Sequence, residues 1–240
     1  MMPTDFHTHI LPGVDDGSKS VEESLAMLRM EAEQGITRVM ATSHFYAHHD
    51  NPDQFLSRRE AAALQLCEAM EGQKGLPQVC LGAEVYYFPG ISNSEILSRM
   101  AFGENKSILI EMPMSPWTQQ MYRELEWISV KQGLTPVLAH LDRYISPFRT
   151  HGILKRLEDL PVLVQANASF FLRRTTVGFA TKLLRQNRIH LLGSDCHNTQ
   201  HRPPNVGVAM DVITRRCGDE ILAQIQENES TIFTSSGVAV

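Results

Sequence analysis

The strongest constraint in this chain is where its metal-grade side chains fall. Six apolar runs of strand length each end on His, Asp or Glu. Phe6-His7-Thr8-His9 opens the chain. His44 follows the run from Thr37 to Ser43, Glu84 ends Val79-Cys80-Leu81-Gly82-Ala83, and Glu111 ends Ser107-Ile108-Leu109-Ile110. His140 ends Thr135-Pro136-Val137-Leu138-Ala139, and Asp195-Cys196-His197 ends His190-Leu191-Leu192-Gly193-Ser194. Packing gives no reason to place an ionisable group at strand tip after strand tip. In a β/α barrel every strand C-terminus opens on one face, and that face carries the active site. Residues as far apart as His7 and His197 then converge on one cluster.

Apolar runs alternate with longer helical patterns, which points to an α/β fold with a parallel sheet. Strands are expected near 4–9, 37–43, 79–85, 107–112, 135–140, 162–167 and 190–195. The first helix is marked by Ser20-Val21-Glu22-Glu23, a capping-box pattern, with Val21, Leu25, Leu28 and Ala32 on one face and Gly35 as its stop. Further helices are expected over 58–70, 117–132, 152–159, 178–187, 206–216 and 219–228. Seven strands with intervening helices close as a (β/α)7 barrel. The alternative is an open doubly wound sheet, which gathers ligands only at its switch point and leaves these tips too spread out.

The chain has 240 residues, 42% hydrophobic and 20% charged, as expected of a single globular domain over 1–240 with a full core. Its net charge of −5 speaks against a general nucleic-acid binder. No stretch reads as membrane-inserted, and no secretory signal is visible at the start. Cys67, Cys80, Cys196 and Cys217 form no C-x-x-C pair and read as reduced thiols of a cytoplasmic protein.

His7 and His9 flank Thr8, and side chains at i and i+2 of a strand point the same way. Asp195 and His197 repeat that spacing on the last strand. Asp15-Asp16-Gly17 follows the first pair in a short loop. A buried carboxylate costs several kcal/mol unless it is paired or binds a cation. The candidate metal ligands are therefore His7, His9, Asp16, His44, Glu84, Glu111, His140, Asp195 and His197. Nine mixed nitrogen and oxygen donors exceed one ion's needs and imply two or three. They suit Mn, Fe or Zn and not an all-oxygen calcium site. Arg143 and Arg202 lie just beyond ligands, and guanidinium forks match phosphate oxygens. Gln165 and Asn167 end the sixth strand uncharged and are expected to line the pocket.

The chain resembles the PHP (polymerase and histidinol phosphatase) superfamily, and within it the CpsB/CapC branch of manganese-dependent bacterial tyrosine phosphatases. The matching segments are Phe6 to Gly17, Ala41-Thr42-Ser43-His44, Gly82 to Tyr87, Ile110-Glu111, Pro136 to Tyr144, Gly193 to Asn198 and Arg202-Pro203-Pro204. The resemblance implies a PHP-type (β/α)7 barrel with the metals at the strand C-termini. It also implies a Mn-rich trinuclear site and hydrolysis of phosphotyrosine on a protein, usually a tyrosine kinase of capsule or exopolysaccharide synthesis. It places metal ligands on the nine positions above, with Asp16 ahead of Asp15, and phosphate-binding arginines on Arg143 and Arg202. Asp142 departs from the branch's usual Glu, and Cys196 stands where Met or another apolar residue is common.

Three other readings remain. Cys196 to Arg202 fits C-x5-R, the loop of thiol-based tyrosine phosphatases, but lacks the expected glycine and places Asp195 against a thiolate. A second reading keeps the fold and takes a small phosphomonoester, of histidinol-phosphate type, or a nucleic-acid end. A third is a non-catalytic, metal-bound scaffold of the polysaccharide machinery. The sequence leaves homo-oligomer formation open.

Overall fold

The computed structural model describes residues 3–146, 150 and 152–233. Nine parallel strands run through these residues: β1 (Thr4–Thr8), β2 (Arg38–Ala41), β3 (His44–Phe45), β4 (Gln78–Leu81), β5 (Glu84–Tyr86), β6 (Ser107–Glu111), β7 (Thr135–Leu138), β8 (Leu163–Asn167) and β9 (Leu191–Gly193). They pair in the orders β1-β2-β4 and β3-β5-β6-β7-β8-β9. All seven expected strand positions are occupied, with two differences.

The second and third expected strands are each broken, at residues 42–43 and 82–83. His44 and Glu84 do not end their strands as expected; they open new segments and pair with each other in register. Backbone bonds cross the breaks, from Thr42 N to Thr8 O at 2.8 Å and from Glu84 N to Thr42 O at 3.2 Å. Such an irregularity re-aims side chains while the ladder continues.

The curled sheet returns to its own first strand. Asp195 N donates to His7 O at 2.7 Å, and His9 N donates to Cys196 O at 2.9 Å. Phe6, Met40, Leu109, Val137 and Leu191, one from each of five strands, form a small buried cluster with Phe102 and Ile232. A larger core packs the helices onto the sheet.

The helices follow local signals. Ser20 caps Val21–Glu33 by accepting from Glu23 N. The Glu23 carboxylate reaches Lys19 N at 2.8 Å instead of closing the reciprocal bond to Ser20. The second helix begins at Pro52, six residues before the expected 58, because Asn51 accepts from Asp53 N and Gln54 N and Pro52 takes the first turn. Gly133, at φ +64°, ends Gln119–Gln132. Short helices at Ile96–Met100, Leu141–Tyr144 and Ser169–Leu172 were not expected; each is too brief to show a periodic apolar face.

Gly193 shows how tightly β9 meets β1. A Cβ there would lie 2.5 Å from His7 Cβ and 2.7 Å from Gln165 Nε2. Gly193→Ala is expected to cost about 1–3 kcal/mol through overpacking and to push His7 and Gln165 out of place. Thermal melts together with divalent-metal titration check this. Wild-type stability and metal affinity in the variant would mean that the seam is loose.

Candidate metal centre

The curl brings all nine candidate side chains together above the small core. His7 Nε2 and His9 Nε2 face each other at 3.1 Å. Both look at Glu84 Oε2, at 3.2 and 3.5 Å, and at Asp195 Oδ1, at 3.7 and 3.5 Å. His44 Nδ1 is 2.9 Å from Glu84 Oε2. His140 Nε2 is 2.8 Å from Glu84 Oε1 and 3.4 Å from Glu111 Oε1. Asp16 Oδ1 stands between His44 Nε2, at 3.6 Å, and His197 Nε2, at 3.4 Å. Three overlapping groups result: His9, Asp16, His44 and His197; His7, His9 and Asp195; and His44, Glu84 and Glu111, each with donor atoms within 4.8 Å of one another.

Backbone strain marks two of these positions. His140 has φ +32° and Asp195 has φ +56°, in the left-handed region that residues with a Cβ seldom enter. Asp195 therefore lies outside β9, and strand alternation does not place it and His197 as expected. A left-handed kink after Gly193 turns both to the cluster. Strained non-glycine residues of this kind gather at functional sites.

The electrostatics demand cations. Burial opposes ionisation of Glu84, but His7, His140 and His44 outweigh it and hold its carboxyl well below the usual range. Burial likewise opposes charge on Asp195, and His7 and His9 hold it far below. On the other side of the same attraction, burial disfavours a charged His140, yet Glu111 and Glu84 push it up to about 9. Protons here hold the place a divalent cation takes among such donors. Burial, His9 and Arg202 lower His197 to about 4, which leaves a neutral imidazole with a free lone pair. Glu84 Oε2, His44 Nδ1 and His197 Nε2 are buried without a hydrogen bond of normal geometry. The donor set thus fits metal ions.

Around the donors lies a layer of orienting bonds. Asp15 Oδ2 accepts from His9 Nδ1 at 2.8 Å and from His44 N at 2.9 Å, while Oδ1 accepts from Gly17 N at 2.9 Å. Gln165 Oε1 lies 3.4 Å from His7 Nδ1 and accepts from His140 N at 2.6 Å. The Gln165 amide donates to Asn167 Oδ1, and Asn167 Nδ2 donates to Asp195 Oδ2, both at 3.1 Å. Asp142 Oδ1 accepts from Asn167 N at 2.8 Å, so the shorter acid still braces β8.

Both arginines reach the cluster. Arg143 Nη2 bonds Asp195 Oδ2, and Arg202 Nη2 is 2.5 Å from Asp195 Oδ1. Cys196 faces the other way, grouped with Asp5 and Glu31 behind the sheet. Burial and those two carboxyls push its thiol well above the usual range. A protonated, enclosed thiol is no nucleophile. The sequence reading passed over Tyr46 and Tyr86. Their rings sit 5.7 Å apart at the mouth, and Tyr46 lies 5.3 Å from His44. Their positions at the tips of β3 and β5 were the available signal.

Residues 3–234 match the family described as "Capsular polysaccharide synthesis, CpsB/CapC". The chain belongs to the CpsB/CapC family. It is 28% identical over 226 residues to tyrosine-protein phosphatase CpsB of Streptococcus pneumoniae, covering 89% of this chain and 90% of that one. It is 26% identical over 245 residues to tyrosine-protein phosphatase YwqE of Bacillus subtilis, covering 98% and 92%. Among solved structures it resembles one from work on B. subtilis YwqE and S. pneumoniae CpsB, described as metal-dependent tyrosine phosphatases. The TM-score is 0.82 at 23% identity, covering 98% of this chain and 96% of that one.

Asp15→Asn keeps the shape of the loop but removes the charge on His9. Divalent-metal affinity is expected to fall about 10–100-fold with little change in melting temperature. Calorimetric titration measures it. An unchanged affinity would reduce Asp15 to a loop-holding residue.

Proposed function

We propose that this CpsB/CapC chain is a metal-dependent protein-tyrosine phosphatase that acts in the cytoplasm on a tyrosine kinase of capsule or exopolysaccharide synthesis. The observation that carries this reading is the convergence of eight donors in three overlapping groups, with His140 against Glu84 as the ninth and two guanidinium forks reaching the same carboxylate. The family and the names of the relatives support the substrate class. Under this reading the chain is one phosphatase domain of PHP-type (β/α)7 architecture. Its seven staves are β1, β2 with β3, β4 with β5, β6, β7, β8 and β9. Among the described residues no helix is long and apolar enough to cross a membrane.

His7, His9, Asp16, His44, Glu84, Glu111, His140, Asp195 and His197 would hold two or three ions. The mixed donors and the family favour Mn2+, with Fe or Zn as substitutes. When bound, such ions supply Lewis-acid charge neutralisation and a nucleophilic water at neutral pH. Arg143 and Arg202 grip the phosphoryl oxygens and take up charge as it spreads in the transition state. Tyr46 and Tyr86 offer ring faces to the aromatic part of the ester, a contact of about 1 kcal/mol, or roughly fivefold in rate. A departing tyrosinate, with a solution pKa of about 10, makes modest demands on a proton donor.

Chelation is expected to abolish hydrolysis of an aryl phosphate, with Mn2+ restoring it best. Full turnover without metal would sink the reading. Arg143→Ala and Arg202→Ala should each lower kcat/KM by roughly 100-fold while metal content and Tm hold. Arg→Lys should rescue poorly, since an ammonium keeps the charge and loses the fork. Cys196→Ser should stay active where His7→Ala and Asp195→Ala do not; the reverse order would restore the thiol mechanism. Tyr46→Leu should slow aryl esters more than alkyl esters.

A further inference from the structure

Away from the metal centre, a groove of about 490 Å³ runs between the short helix Ser169–Leu172 and the helix Val206–Cys217. Its apolar lining is Phe171, Leu172, Val177 and Val212, and its polar lining is Arg174, Arg215 and Arg216, with no carboxylate. In a chain of net charge −5, that is a local reversal of sign. Arg173, Lys182 and Arg185 stand exposed close by in sequence and add to it. Among the described residues, no ion pair within 4.0 Å involves Arg174, Arg215 or Arg216. Asp211, one helical turn before Arg215, does not close one. The Arg185 guanidinium donates to the Arg216 carbonyl, so even the nearest polar contact brings a further cation.

Three exposed guanidinium groups around one apolar floor gather a local positive potential that favours an anion. The floor narrows the choice, because a bare acidic side chain has nothing to place on Leu172 and Val212, which stay half-buried over the enclosed Phe171 and Val177. An aryl phosphate uses both parts: its ring covers the apolar floor and its oxygens take the forks. The volume suits one such group, within the usual range of ligand pockets. A concave groove is the wrong shape for a flat lipid surface, and the acidic chain is the wrong sign for nucleic acid at large. The groove also adjoins the proposed site in sequence. Ser169–Leu172 begins two residues after Asn167, whose amide bonds Asp195.

We infer that this groove is a second, non-hydrolysing binding site for a phosphorylated tyrosine of the same protein substrate, so that a multiply phosphorylated segment is held while another residue occupies the metal centre. The inference rests on the tyrosine-phosphatase reading.

The test compares the full-length, metal-loaded protein with its Arg215→Ala/Arg216→Ala form. Substrates are p-nitrophenyl phosphate, a peptide with one phosphotyrosine, and the same peptide with two. The wild type should show a KM roughly tenfold lower for the doubly phosphorylated peptide, by tethering. The double variant should lose that advantage and keep its kcat/KM on p-nitrophenyl phosphate. Arg174→Ala, in the loop facing the helix, should give the same loss, which separates binding from damage to one helix. Equal KM values for the two peptides in the wild type, or an advantage that survives both variants, overturns the inference. So does loss of binding to anionic phosphatidylglycerol vesicles with peptide KM values unchanged. If the wild type hydrolyses none of these esters, the phosphatase reading fails separately. Anisotropy with the doubly phosphorylated peptide then decides for the groove: weaker binding by the variants supports it, and equal binding refutes it.

Discussion

Everything at the mouth depends on one buried carboxylate that is not among the nine donors. Asp5 Oδ1 accepts from His7 N at 3.0 Å and from Ser194 N at 2.9 Å. It thereby ties the strand carrying His7 and His9 to the segment carrying Asp195 and His197. Its other oxygen meets Glu31 of the first long helix. Burial and the charge of Asp5 raise Glu31 well above the carboxylate range. Burial raises the Asp5 carboxyl as well, so the pair sits where two full charges are disfavoured. Replacing Glu31 with an apolar residue would take from Asp5 the polar neighbour it has behind the sheet, and a buried polar group without a partner is costly.

The seam also explains why the strain at His140 and Asp195 persists. Left-handed backbone at a residue with a Cβ survives only where neighbours over-determine it. Asp195 is held by its own N–H to His7 O and by Asn167 and two arginines on its carboxylate. His140 is held by Gln165 on its backbone and Glu84 on its ring. The stable part of the molecule is thus organised to keep four carboxylates and five imidazoles closer than they would choose to be. Such an arrangement is worth its cost only where cations and an anionic substrate meet.

The sequence made most of this legible, since the seven strand positions and the convergence of nine side chains follow from apolar runs and their tips. What stayed hidden has a common physical origin. Strand alternation assumes an unbroken ladder, whereas His44 and Glu84 follow breaks and Asp195 follows a left-handed kink. The early start of the second helix was written in Asn51-Pro52, a cap signal outweighed by the richer helical composition after Arg58. Glu31 is the harder case. By periodicity it shares a face with Leu28 and Ser24, yet a charge on a helix reads as solvent-facing until the partner is seen. That partner, Asp5, belongs to a strand whose neighbouring histidines drew attention away from it.

The mouth is divided in a way that matches the chemistry of an aryl phosphate. Arg143 and Arg202 come from the segments after β7 and β9, whereas Tyr46 and Tyr86 sit at the tips of β3 and β5. Burial and the carboxylates Glu111, Glu84, Asp16 and Asp15 push the Tyr46 phenol up, so it remains a neutral ring beside the charged cluster and not a competing ligand. In the proposed reading, a phosphate gripped by the two arginines would leave its aryl ring to be met by the tyrosines. An alkyl ester held the same way would reach the arginines and leave the rings in water. In that reading discrimination would come from the aromatic side and turnover from the cationic side, two separable contributions carried by different strands.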